Sequence, residues 1–115
     1  MKPVLRYRTM AAFRLTVETR SATRAAEELG ISQPAVSQLL AALERAVGFP
    51  LFDRGAGRRM DPTPGALQLL SEVREILDAM AELEQRVREL ATGEAGRDGA
   101  GGRGNGRWQE STAER

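Results

Sequence analysis

Residues 21–48 read SATRAAEELGISQPAVSQLLAALERAVG, and this stretch decides the fold. Ser21 is a good helix N-cap, and Ala22, Ala25, Ala26 and Leu29 follow at i, i+3, i+4 and i+7. The stripe is mostly alanine, so a second helix can approach closely. Gly30 suits the end of that helix, because glycine adopts positive φ without strain. Ser32 caps the next helix, with Pro34 in its first turn, where a missing N–H costs nothing. Val36, Leu40, Leu43 and Val47 fall on one face with Leu39 beside them. Gln33, Ser37 and Gln38 fall largely on another. Gly48 ends the helix. Two helices separated only by Gly30-Ile31-Ser32 predict a helix-turn-helix.

Working outward, Met10, Phe13 and Val17 recur at helical spacing and predict a first helix over roughly Val4–Thr19. Downstream, Leu51–Arg54 and Arg58–Asp61 read as short strands. Gly55-Ala56-Gly57 supplies the reversal between them, which makes a small basic hairpin, or wing. Thr63 then caps a long helix with Pro64 at its first position, running to about Ala91, or roughly 40 Å. Ala66, Leu69, Val73, Ile76, Met80, Leu83, Val87 and Leu90 alternate in steps of three and four, an a/d series that calls for a partner helix. From Gly93 to Arg115 there are seven glycines and one large apolar residue, Trp108. That composition predicts a disordered tail. Its GGRGNGR run fits a weak nucleic-acid contact as well as a plain polar tail.

Composition narrows the chemistry. The 115 residues contain no cysteine and no histidine. This removes disulfides, Cys/His zinc sites, thiol nucleophiles and a histidine general base. There is also no Gly-rich phosphate loop with a lysine, so an enzyme is not expected, nor is any metal or cofactor. No apolar run is long enough to span a membrane, and MKPVLRYRTMAAF lacks the apolar core of a signal peptide. Together these predict a cytoplasmic protein with no membrane partner. The net charge of +1 hides a gradient. Residues 1–61 carry ten Lys/Arg against six Asp/Glu, whereas residues 62–92 carry three against six. A basic front suits a polyanion.

The segment from Ser21 to Thr63 resembles the N-terminal DNA-binding domain of the LysR-type transcriptional regulators. The resemblance starts near Phe13 and extends to about Leu77. Its specific pieces are Ser21, Ala25-Ala26, Leu29, Ser32-Gln33-Pro34-Ala35-Val36-Ser37, Leu43-Glu44, Gly48, Leu51-Phe52, Arg54 and Pro62-Thr63. Two positions depart from the family. Arg20 stands where glycine is common, and Leu39 stands where a polar residue is common. The family's large effector-binding domain has no counterpart, so its small-molecule switch is not carried over.

The expected architecture is all-α. A winged helix-turn-helix (1–63), with a three-helix core and a two-stranded wing, is followed by a long dimerisation helix (64–92) and the tail (93–115). The expected function is sequence-specific binding of double-stranded DNA as a homodimer, with the helix at about 32–47 in the major groove, and hence transcription regulation in a bacterial cell. The alternative is heterodimerisation with a full-length LysR-type chain, as a dominant-negative partner. Gln33 can donate and accept as adenine requires, and Ser37 and Gln38 lie one turn along. The resemblance implies base readout by Gln33, Pro34, Ser37 and Gln38. Thr23 and Arg24 suit phosphate contacts at a helix start, although Arg24 also has Glu27 and Glu28 nearby. Ser32 is a cap whose surrounding N–H groups can also meet a phosphate. The resemblance places Arg54, Arg58 and Arg59 of the wing near the minor groove and flanking backbone, while a basic turn is also often merely solvated. Leu69, Val73, Ile76, Met80, Leu83 and Val87 are the expected dimerisation residues, and the family pairs these helices antiparallel.

Overall fold

The computed structural model describes residues 5–53 and 59–93. Its elements are α1 (Tyr7–Thr19), α2 (Ala22–Leu29), α3 (Gln33–Val47), β1 (Phe52–Asp53), β2 (Asp61–Pro62) and α4 (Pro64–Thr92). The expected start of α1 at Val4 lies outside the described residues; its first helical residue is Tyr7. Contacts divide the chain into two units after Leu77. The first unit therefore takes in the opening turns of α4 as well as the winged helix-turn-helix, whereas the sequence reading divided the chain at 63/64.

Local chemistry ends each helix where the sequence suggests. Ser21 Oγ accepts from Arg24 N–H at 3.0 Å, and Ser32 Oγ accepts from Ala35 N–H at 3.2 Å. Gly30 takes φ 71, donating to Glu27 O at 3.3 Å while Ile31 N–H donates to Ala26 O at 3.1 Å. This is a Schellman end, which turns the chain sharply from α2 into α3. Thr63 Oγ1 accepts from Ala66 N–H at 3.2 Å and donates to Pro50 O at 2.8 Å. One hydroxyl thus caps α4 and ties it to the start of the wing.

The core lies between α1, α2, α3 and the wing. Phe13, Ala25, Val36, Leu40 and Leu51 are fully buried. Phe13 meets Phe52 edge to face, with ring centroids 6.2 Å apart, so α1 supports the wing directly. Ala22, Ala25 and Ala26 are buried as the small-residue stripe of α2 requires. Glu18 of α1 accepts from Arg14 at 3.1 Å and from Arg74 of α4 at 3.0 Å. Gly65 lets the Phe49 ring lie against α4, because a Cβ there would stand 2.7 Å from the ring.

One expectation needs correction. The strands are shorter and shifted: Phe52 pairs with Pro62 and Asp53 with Asp61, antiparallel. Thr63 N–H still donates to Leu51 O at 3.0 Å, but the Leu51 N–H turns away to Glu44 Oε2 at 2.8 Å, so the next rung is only half made. Arg54, Arg58 and the glycine reversal between them lie outside the described residues, as does the stretch from 94 onward.

The expected dimerisation residues of α4 differ in exposure. Its buried residues are Ala66, Leu70, Val73 and Leu77, all within the first unit. Val73 is 3% exposed and packs within the first unit. Leu69 is half-buried and Ile76 is exposed. In the second unit Met80 is half-buried, and Leu83 and Val87 are exposed.

Two residues are held at a cost. Thr16 is fully buried and its Oγ1 has no hydrogen-bond partner. Arg20 takes φ 58, the left-handed region, while its N–H closes α1 on Thr16 O at 2.7 Å. We expect Thr16→Val to stabilise the domain by about 1 kcal/mol, since it keeps the shape and removes an unpaired hydroxyl. Urea unfolding would show a higher midpoint at an unchanged m-value; a lower midpoint would mean that the hydroxyl is satisfied. Arg20→Gly should be more stable than Arg20→Ala by about 0.5–1 kcal/mol. Both lose the guanidinium, and only glycine relieves the backbone. Equal midpoints would show that the left-handed conformation carries no cost.

Candidate nucleic-acid interface

The outward face of α3 follows from its inward one. Val36, Leu40 and Leu43 are buried. Helical geometry then turns Gln33, Pro34, Ser37 and Gln38 to solvent, and all four are exposed. They form two i, i+4 pairs over the first turns of the helix. Gln33 Nε2 donates to Ser37 Oγ at 2.8 Å, so two of the expected base-reading groups already share one orientation. Both groups remain able to exchange that bond for one to a base edge. Leu39, where the family commonly has a polar residue, is half-buried and adds nothing to this polar surface.

Other exposed residues are of types suited to a phosphate backbone. Thr23 and Arg24 are exposed on the first turn of α2, and Ser32 is exposed at the start of α3. Ser32 Oγ is occupied as a cap, which leaves its surroundings rather than its hydroxyl to meet a ligand. Arg24 makes no ion pair with Glu27 or Glu28 among the described residues, so its charge is available. Arg59 extends from the wing with 68% of its side chain exposed, and its Nε donates to Asp61 Oδ1 at 3.3 Å. Arg54 and Arg58 lie outside the described residues.

Two further charged residues stand at this surface, and the sequence reading gave neither a role. Arg20 Nη1 donates to Asp61 Oδ1 at 3.1 Å. Met60 N–H donates to Arg20 O at 3.3 Å. The turn before α2 is therefore joined to β2. The signal for Arg20 was its departure from the family's glycine; nothing in the sequence paired it with Asp61. Glu44, part of the Leu43-Glu44 motif, accepts from the Leu51 N–H at 2.8 Å and so links α3 to the start of the wing.

Among the described residues there is no group of three or more Asp/Glu side chains that could hold a metal ion. No described helix is long and apolar enough to cross a membrane. The chain matches known proteins in both sequence and shape.

The family model described as "Bacterial regulatory helix-turn-helix protein, lysR family" matches residues 7–67. The HTH-type transcriptional regulator CbbR of Xanthobacter flavus is 34% identical over 96 residues, covering 84% of this chain and 28% of that one. IlvR of Caulobacter vibrioides is 43% identical over 84 residues, covering 73% of this chain and 28% of that one. The chain thus spans less than a third of the length of these curated relatives, which are named as transcriptional regulators and not as enzymes. Among solved structures, the BenM DBD complex with catB site 1 DNA is similar at a TM-score of 0.69 and 28% identity. That likeness covers 78% of this chain and 96% of the other. The CbnR DBD–DNA complex is similar at a TM-score of 0.66 and 28% identity, covering 76% of this chain and 99% of the other. The matched span begins with α1 and ends in the first turn of α4, taking in every element of the helix-turn-helix and the wing. This chain belongs to the LysR family of bacterial regulatory helix-turn-helix proteins.

Proposed function

We propose that this domain binds double-stranded DNA sequence-specifically as a homodimer and so regulates transcription, with the N-terminal turns of α3 in the major groove. The observation that carries the reading is the exposed set Gln33, Pro34, Ser37 and Gln38 on a helix whose opposite face is locked into the core. A B-DNA major groove admits one α-helix, and amide side chains at its start can pair with adenine N6 and N7. The similar BenM and CbnR domains were solved as DNA complexes, which supports the same use of this face here.

Each part then has a physical task. Gln33 and Gln38 read base edges by donating and accepting, and Ser37 holds Gln33 until a base replaces it. Pro34 offers an apolar surface to a thymine methyl. Thr23, Arg24 and the N–H groups near Ser32 engage phosphates, which orient the domain and carry no sequence information. Arg54, Arg58 and Arg59 serve the minor groove and flanking backbone, where arginine gains from the enhanced negative potential of A·T-rich DNA. Residues in the second unit supply the dimer. Leu83 and Val87 are exposed at i, i+4, and desolvating a Leu-sized side chain contributes about 1.5–3 kcal/mol. Met80 borders them, and Leu69 and Ile76 are the further residues of the first unit that retain exposed surface for a partner.

Replacing Gln33 or Gln38 with Ala should cost roughly 1–3 kcal/mol at a duplex selected from a random pool, and relax the preference at one position. Fluorescence anisotropy against selected and random duplexes reads this out. If both variants kept the parent's affinity and preference, α3 would not be the reading helix. Leu83→Asp puts a charge where a partner helix must desolvate it. Sedimentation equilibrium should show the parent as a dimer and this variant as a monomer at micromolar concentration, with its helix-turn-helix still folded by circular dichroism. A parent that is monomeric at tens of micromolar would contradict the homodimer.

A further inference from the structure

The interface contains one acidic side chain that DNA binding gives no evident reason to keep. Asp61 Oδ1 accepts from two arginines at once, from Arg20 Nη1 at 3.1 Å and from Arg59 Nε at 3.3 Å. The side chains of Arg20, Asp61 and Arg59 are 44%, 49% and 68% exposed, so all three groups are within reach of an incoming polyanion. The pairing is not a neighbour effect along the chain for Arg20, which comes from the turn between α1 and α2. The Met60 N–H bond to Arg20 O brings the two backbones together. Asp53 stands opposite Asp61 in the ladder as a second carboxylate of the wing, and it has an interaction of its own.

The backbone of Arg20 is a second, independent observation. Its φ of 58 is a conformation that glycine adopts freely and that arginine adopts at a cost. A non-glycine residue held in such a conformation points to a use for its side chain. Here that side chain reaches the wing carboxylate.

We propose that Asp61 acts as a brake on DNA affinity. In the free domain its carboxylate holds Arg20 and Arg59, and duplex phosphates must take both guanidinium groups from it. This rests on the wing lying against DNA, as proposed above. An ion pair this exposed is weak, whereas a phosphate can take a guanidinium through two parallel hydrogen bonds. The exchange therefore goes forward on DNA, but from a starting state in which two positive charges are already partly neutralised. Phosphates are the same in every duplex, so the brake lowers affinity for all sequences by a similar factor. Arg20 thereby becomes a phosphate-contacting residue in the complex.

The test is a set of anisotropy titrations on selected and random duplexes, over a series of salt concentrations. The proteins are the parent, Asp61→Asn, the double variant Arg20→Gln/Arg59→Gln, and the triple variant combining them. Asn keeps an acceptor oxygen and removes the charge; Asp61→Ser serves as a second replacement, and thermal melts establish that each variant is folded. Asp61→Asn should bind both duplexes about fivefold more tightly, the equivalent of about 1 kcal/mol. Its dependence on salt should be steeper. The double variant should bind more weakly than the parent, and adding Asp61→Asn to it should change affinity less than about twofold. Unchanged or weaker binding by folded Asp61→Asn and Asp61→Ser would overturn the proposal. So would a gain that persists without the two arginines, since the carboxylate would then act by repelling phosphate alone. Either result leaves the DNA-binding reading intact. A parent that binds no duplex overturns both.

Discussion

The contact between Phe13 and Phe52 is the point on which the interface depends. Phe13 is fully buried at the centre of α1, and the Phe52 ring of β1 meets it edge to face. A two-residue strand pair has almost no stability of its own in water. The wing keeps its position because one of its aromatic side chains is part of the domain core. Glu44 and Thr63 add polar ties at either side of that contact, one from α3 to Leu51 N–H and one from the start of α4 to Pro50 O. Helix α3, the wing and the first turn of α4 are thereby fixed to one another within the first unit. A surface that must match a groove and the backbone beside it needs this rigidity.

The same packing sets what α3 presents. Its buried residues are Val36, Leu40 and Leu43, and α2 meets it across alanines small enough for close approach. The exposed polar residues Gln33, Pro34, Ser37 and Gln38 therefore sit on a helix whose rotation about its axis is determined by side chains on the far side. The two left-handed residues on this surface differ in kind. Gly30 turns α2 into α3 without strain, while Arg20 accepts strain and returns a side chain to the wing. A chain can hold such a residue because the surrounding bonds over-determine its conformation.

Much of this was legible from residue types. Ser21, Ser32, Thr63, Gly30 and Gly48 are residues whose local hydrogen bonding or φ preference acts without regard to the rest of the fold, and each ends or begins a helix as read. The polar positions 33, 34, 37 and 38 were legible for a related reason, since helical periodicity sends them away from Val36 and Leu40. The wing was harder. The extent of its strands depends on a side-chain capture of the Leu51 N–H, which does not show in a hydropathy pattern. The burial pattern of α4 was not legible because Leu69-Leu70 and Ile76-Leu77 are adjacent apolar pairs. Two stripes, differing by one residue at these positions, fit equally well, and only packing within the first unit selects Leu70 and Leu77 for burial. The pairing of Arg20 with Asp61 spans 41 residues and had no local signature.

The central claim is that the N-terminal turns of α3 enter the DNA while the core behind them stays unchanged. Titrating a selected duplex into 15N-labelled protein and following backbone and side-chain amide signals tests this most directly. Large shifts are expected for the Gln33 and Gln38 side-chain amides and for backbone amides over 32–38, with the amides around Phe13 nearly still. Side-chain amides of Gln33 and Gln38 that do not move on saturation with a tightly bound duplex would contradict it.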